Sequence, residues 1–162
     1  MTTKNELHVL TVLRSMPFTQ GMESDQIKKL ASLAVEVKFA PGEVIFRDGD
    51  EATALYLIEE GQIVLEAHVA GRGLVTMLTL GPGELLGWSS LFPPRRKTST
   101  ARVTKPTWAI AINTEKLQEL CQVDHQLESE IIHRVSDIIA QRLKTTRQFL
   151  LDNFATEQPA KV

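Results

Sequence analysis

Hydrophobic residues recur along this chain at two periods, and the changes of period divide it into three parts. Over residues 5–16, Leu7, Leu10 and Leu13 stand at helical spacing with Val9 and Val12 beside them. That spacing predicts an amphipathic helix, which Pro17 ends. Gly21 loosens the connection. Ser24 then has the chemistry of an N-cap, with Asp25 placed to meet the helix dipole. Ile27, Leu30, Leu33 and Ala34 give this second helix its apolar face. From Val35 the period becomes two. Val35, Val37 and Phe39 alternate with Glu36 and Lys38, as in a strand with one buried face.

Short apolar runs follow, most of them separated by glycine turns. They are Val44–Phe46, Ala54–Ile58, Ile63–Val69, Leu74–Leu78, Ala101–Val103 and Thr107–Ile112, with a hairpin turn expected over Glu59–Gln62. About eight short strands at this spacing predict an antiparallel sandwich or jelly-roll barrel.

The helical period returns at Asn113. Asn113 or Thr114 caps a short helix carrying Leu117 and Leu120, and Asp124 caps a longer one. No proline or glycine interrupts His125 to Phe154. Leu127, Ile131, Val135, Ile138, Ile139, Leu143, Thr146, Phe149 and Leu150 form a wide stripe along it. Such a helix runs about 45 Å at 1.5 Å per residue, longer than a small barrel covers. One edge of the stripe fits the barrel and the other a second copy of the chain, so a homodimer through residues 125–154 is expected. The other reading folds the whole helix back on its own domain. The expected division of this single α+β domain is therefore N-terminal helices at 1–34, β-roll at 35–112, C-terminal helices at 113–155 and a tail at 156–162.

Composition narrows the function classes. A net charge of -2 lacks the basic excess of a general nucleic-acid or membrane-surface binder. The single cysteine, Cys121, excludes an internal disulfide and fits a reducing compartment. No leader-like or bilayer-spanning apolar run is present, so a cytoplasmic location is expected. His8, His68, His125 and His133 are scattered along the chain. A metal-dependent barrel enzyme needs histidines clustered with a carboxylate, so neither a catalytic residue nor a metal site is expected.

One stretch carries candidate chemistry. Gly83 to Ala101 holds a short turn in which the small residues Gly87, Ser89 and Ser90 flank Trp88, then two prolines and the three cations Arg95, Arg96 and Lys97. A glycine turn beside a cationic loop is a common way to hold a phosphate, because backbone N–H groups and a side-chain charge converge on the anion.

The run Pro41 to Asp50, followed by Leu55 to Ile63 with its glycines at Gly42, Gly49 and Gly61, resembles the cyclic-nucleotide-binding domain family. That resemblance covers the chain from its second helix to its last. It implies a β-roll flanked by helices, with the ligand phosphate held in a cassette between two strands. Gly83-Glu84-Leu85 imitates the family's Gly-Glu-Leu. The turn that precedes the cassette in the family matches Gly81–Gly83 instead, and this places the cassette glycine at Gly87. The family's ribose-binding glutamate then falls on Trp88 and its phosphate-binding arginine on Lys97.

The candidate ligand contacts are Leu86, Gly87, Trp88, Ser89, Arg96, Lys97, Thr98 and Ser99. Thr146 matches a threonine that reaches the base in the family's catabolite activator protein. Both departures matter chemically. An indole donates one hydrogen bond where a glutamate accepts from a ribose hydroxyl, and an ammonium lacks the guanidinium fork. Trp88 either fills the ribose site as a packing residue or forms an aromatic wall for another ligand.

Two functions follow from the resemblance. One is a stand-alone sensor that binds cyclic AMP, cyclic GMP or a similar phosphate ligand and signals through its last helix. The alternative is a degenerate domain that binds no nucleotide and acts as a dimeric interaction module. Direct DNA binding is not expected, because residues 155–162 are too few for a helix-turn-helix.

Overall fold

The computed structural model describes residues 4–157. Helices α1 (Lys4–Ser15) and α2 (Ser24–Ser32) lead into a sheet of six strands. These are β1 (Ala34–Phe39), β2 (Val44–Phe46), β3 (Ala54–Val69), β4 (Gly73–Leu80), β5 (Leu85–Leu86) and β6 (Thr100–Asn113). Helices α3 (Thr114–Val123) and α4 (His125–Glu157) close the described chain. The α+β fold and the flanking helices are as the hydrophobic periods predict. Residues 156 and 157 continue α4, and the rest of the expected tail, 158–162, lies outside the described residues.

The strand order is β1-β6-β3-β4, with β2 paired to β6 and β5 paired to β3, all antiparallel. One expected turn is not a turn, and four of the expected strands are two. The segment Glu59–Gln62 lies inside one 16-residue strand, β3, and the runs at 101–103 and 107–112 are one strand, β6. Both long strands bend around the roll together. Their pairing shifts register at Ile58/Glu60, Glu60/Gln62 and Gln62/Ile63. Gly61 makes the bend possible, with φ at +111°. A Cβ there would lie 2.3 Å from Thr107 Oγ1 and 2.5 Å from the Pro106 carbonyl oxygen. A glycine inside a strand run thus marks a bulge where two backbones touch, which sequence alone reads as a hairpin.

Period-two alternation feeds two cores. Leu55 and Leu57 of β3, Ile110 and Ile112 of β6 and Leu85 of β5 pack under the helices. Their neighbours Tyr56, Ile58 and Leu86 face into the roll, with Phe46, Ile63, Leu80, Ala101 and Val103. On α1 the buried positions are Val9, Val12 and Leu13, whereas Leu7 is exposed. The helix is rotated so that the valines, not Leu7, face the sheet.

The N-cap of α2 is Glu23 rather than Ser24. Glu23 and Gln26 form a capping box, and the longer Glu side chain satisfies an N–H that Ser24 was expected to serve. Asn113 caps α3 by accepting from the Lys116 N–H at 3.0 Å, and Asp124 caps α4 through the Leu127 N–H at 3.0 Å.

Helix α4 has 33 residues, about 50 Å. Its first half is anchored: Leu127, Ile131 and Val135 are buried, and Arg134 donates to the carbonyls of Phe18 at 2.9 Å and Gln20 at 2.7 Å. Its second half leaves Leu143, Leu150, Leu151 and Phe154 exposed.

Candidate functional site

The cassette starts where β5 leaves the sheet. Leu85 and Leu86 pair with Leu57 and Tyr56, so consecutive side chains go to opposite cores. Gly87 then takes φ +94° and starts a 3₁₀ turn over Trp88–Leu91. The Ser90 hydroxyl, fully buried, fixes the turn by donating to the Gly87 carbonyl at 2.8 Å. A Cβ at position 87 would stand 2.7 Å from the Ala54 carbonyl oxygen and 3.0 Å from Lys97 Nζ. Only glycine lets the ammonium approach the backbone that closely.

The cationic loop is sewn to the turn before β3. Gly49 N–H donates to the Lys97 carbonyl, Lys97 N–H to the Asp50 carbonyl (both 2.8 Å), and Ala52 N–H to the Arg95 carbonyl at 2.9 Å. Glu51 and Arg96 are bridge partners. This extended pairing sends neighbouring side chains to opposite sides. Arg96 lies outside, donating to the Gly49 carbonyl at 3.3 Å. Lys97 points inward and is only 4% exposed.

Lys97 Nζ has no hydrogen-bond partner among the described residues and lies 4.2 Å from the centroid of the Phe46 ring. Burial lowers its pKa to about 8. A buried ammonium without an anion is costly, and the ring face offsets only about 1 kcal/mol of that cost.

Phe46, Leu65, Leu86, Gly87, Trp88, Ser89, Thr98, Ser99 and Arg142 surround a cavity of about 20 Å³. The structure therefore brings Leu86, Gly87, Trp88, Ser89, Thr98 and Ser99 together, with Lys97 against Gly87. It leaves Arg96 outside, and Thr146 lines neither this cavity nor the larger groove described next. Trp88 packs edge-on to Phe92, ring centroids 6.2 Å apart, and against the helix-side core. Glu84, in the Gly-Glu-Leu imitation, folds back to accept from the Gly81 N–H at 2.6 Å.

Arg142 is the residue that the sequence reading missed. It reaches from α4 to donate to the Leu85 carbonyl and lines the cassette cavity. Burial pulls its pKa down while the Glu84 carboxylate opposes the fall. It also lines a groove of about 470 Å³ between α4, Pro17–Phe18 and Gly83–Leu85. The signal available in sequence was an arginine one helical turn before Thr146, on the side of α4 that faces β5.

Residues 36–124 match the family model described as cyclic nucleotide-binding domain. The chain is 26% identical over 144 residues to a CRP-like cAMP-activated global transcriptional regulator of Mycobacterium tuberculosis, covering 88% of this chain and 62% of that protein. At that coverage it spans about three fifths of the relative's length. Among solved structures, a Geobacter metallireducens GS-15 protein named for cyclic nucleotide binding superposes with a TM-score of 0.73 at 31% identity, over 81% of this chain and 95% of that one. The regulatory subunit of a cAMP-independent protein kinase A from Trypanosoma brucei shares the fold, with a TM-score of 0.71 at 17% identity, over 91% of this chain and 51% of that one.

Proposed function

Because the chain belongs to the cyclic nucleotide-binding domain family, we propose that it is a regulatory sensor that takes the phosphate of cyclic AMP or cyclic GMP against Gly87 and Lys97. The observation that carries this reading is the Lys97 ammonium, which is buried, unpartnered and set against a glycine that admits no side chain. An anionic ligand supplies the missing counter-charge. Ser89, Thr98 and Ser99 line the small cavity on the other side of Gly87 and Phe46 and add hydroxyls there.

The cavity at 20 Å³ has room for about one water, not a nucleotide. Binding therefore selects a more open arrangement. Arg142 couples that opening to α4. It is tied to the Leu85 carbonyl without ligand, and a phosphate in the cassette competes for its guanidinium. Release from Leu85 frees the distal half of α4 to move.

That half is also the proposed dimer seam. Leu143 and Leu150 stand one seven-residue repeat apart, as in a two-stranded coil, and Leu143 is 69% exposed. The seam occupies the free part of the expected 125–154 range, since Leu127, Ile131 and Val135 are spent inside their own domain. The same reading makes the chain a non-enzymatic cytoplasmic regulator. Among the described residues no helix is long and apolar enough to cross a membrane.

A second reading has a specific observation behind it. Trp88 stands where the family resemblance puts the ribose-binding glutamate, and its ring is already used in packing against Phe92. On this reading the domain binds no nucleotide and works through α4 alone, in a fold that also serves a kinase subunit described as cAMP-independent. Isothermal titration with cyclic AMP, cyclic GMP and a cyclic dinucleotide in parallel separates the two. Micromolar binding of any one of them supports the sensor, and silence with all three supports the interaction module.

A further inference from the structure

We propose that His8, Glu36 and Glu59 form a binding site for a divalent transition-metal cation, Zn²⁺ by preference, that clamps α1 to the β-roll. The three residues come from three elements, α1, β1 and β3, and converge only in the folded chain. His8 Nε2 lies 2.6 Å from Glu36 Oε2 and 3.7 Å from Glu59 Oε1. One ligand atom from each residue lies within 4.8 Å of the others.

Ligands at 2.0–2.2 Å around a tetrahedral ion stand about 3.4 Å apart. One separation is shorter than that and one longer. Small side-chain rotations seat an ion once the His8–Glu36 hydrogen bond gives way.

A second observation concerns Glu59, whose Oε2 is buried with no hydrogen-bond partner among the described residues, although a carboxylate oxygen is a strong acceptor. The patch thus gathers carboxylates around a single imidazole. One imidazole and two carboxylates suit Zn²⁺ better than the all-oxygen shells of Mg²⁺ or Ca²⁺. The His8 side chain is 48% exposed, which leaves a fourth position for water.

Such a site exists only in the folded state, so occupancy stabilises the fold in proportion to the logarithm of free metal. The test uses the full chain with Zn²⁺ alone and, separately, Co²⁺ alone. The expected result is one Zn²⁺ per chain by titration calorimetry, a Tm that climbs with free Zn²⁺, and a visible absorption band with Co²⁺. His8→Gln and Glu59→Gln each weaken binding by at least the roughly 10–100-fold that outer-shell losses cost elsewhere. His133→Gln, which alters an exposed pair with Asp137 on α4, leaves binding unchanged. Absence of stoichiometric Zn²⁺ binding overturns the proposal, as does equal binding by wild type, His8→Gln and Glu59→Gln.

Discussion

Replacing Lys97 with methionine is expected to stabilise the unliganded protein while abolishing ligand binding. The side chain is buried, its ammonium has no anion, and its pKa falls from 10.5 to about 8. At about 1.4 kcal/mol per pH unit, that fall corresponds to a folding penalty of about 3 kcal/mol at neutral pH. Methionine keeps an unbranched apolar stem against Phe46 and removes the charge. It also forfeits the contact of the ammonium with the ring, about 1 kcal/mol.

The net gain is about 2 kcal/mol, or a Tm rise of about 4–8 °C for a domain of this size. The pH dependence identifies the cause. A lysine pKa lowered on folding means that the unfolded state binds more protons between pH 8 and the ordinary lysine value. Wild-type stability therefore rises across that range and closes on the pH-insensitive Lys97→Met variant. Urea unfolding of both proteins at pH 7 and pH 10 measures the gap. A Lys97→Met protein less stable than wild type at pH 7, or a gap that does not change with pH, refutes the reasoning.

Other outcomes follow from the same geometry. Glu66 is buried and accepts two bonds from Arg102, at 2.9 and 3.0 Å, which hold its carboxyl below the usual range. Its stabilisation is full above the ordinary carboxylate value of ~4.3 and is lost as pH falls through the lowered value. Glu66→Gln therefore lowers Tm at pH 7, by a margin that shrinks in acid thermal scans. Arg142→Ala cuts the link from α4 to the Leu85 carbonyl, and faster amide exchange in the second half of α4 without ligand reports it. Leu143→Asp with Leu150→Asp is expected to turn the proposed dimer into a monomer by light scattering, because like charges would replace apolar contacts along the proposed seam. Trp88→Glu with Lys97→Arg is expected to tighten cyclic nucleotide binding by about tenfold or more, through a ribose acceptor and a bidentate fork. Calorimetry reads that last change.

The element types were legible because the periods were clean. Leu55, Tyr56, Leu57 and Ile58 go by turns to the helix-side core and into the roll, and Ile110 and Ile112, two apart, both return to the helix side. The bends were not legible. Gly61 reads as a turn residue, and only the backbone of Pro106–Thr107 pressed against it shows why the strand must continue past it. The family resemblance put Lys97 at the phosphate position, but neither its burial nor its lack of a partner could be read from the sequence. That depends on Gly49, Asp50 and Ala52 pairing with the loop from a distant turn. Arg142 and the His8–Glu36–Glu59 group stayed hidden for a related reason. Each joins elements far apart in sequence, and no local spacing announces a contact of that kind.

The central claim is that the Lys97 ammonium holds the phosphate of a cyclic nucleotide. Titration of wild type and Lys97→Met with cyclic AMP and cyclic GMP, at pH 7 and pH 9.5, tests it directly. The account predicts micromolar binding by wild type at pH 7, none by Lys97→Met, and affinity about thirtyfold weaker at pH 9.5, where a lysine of pKa about 8 is largely neutral. No binding at either pH, or binding indifferent to both the pH and the substitution, contradicts it.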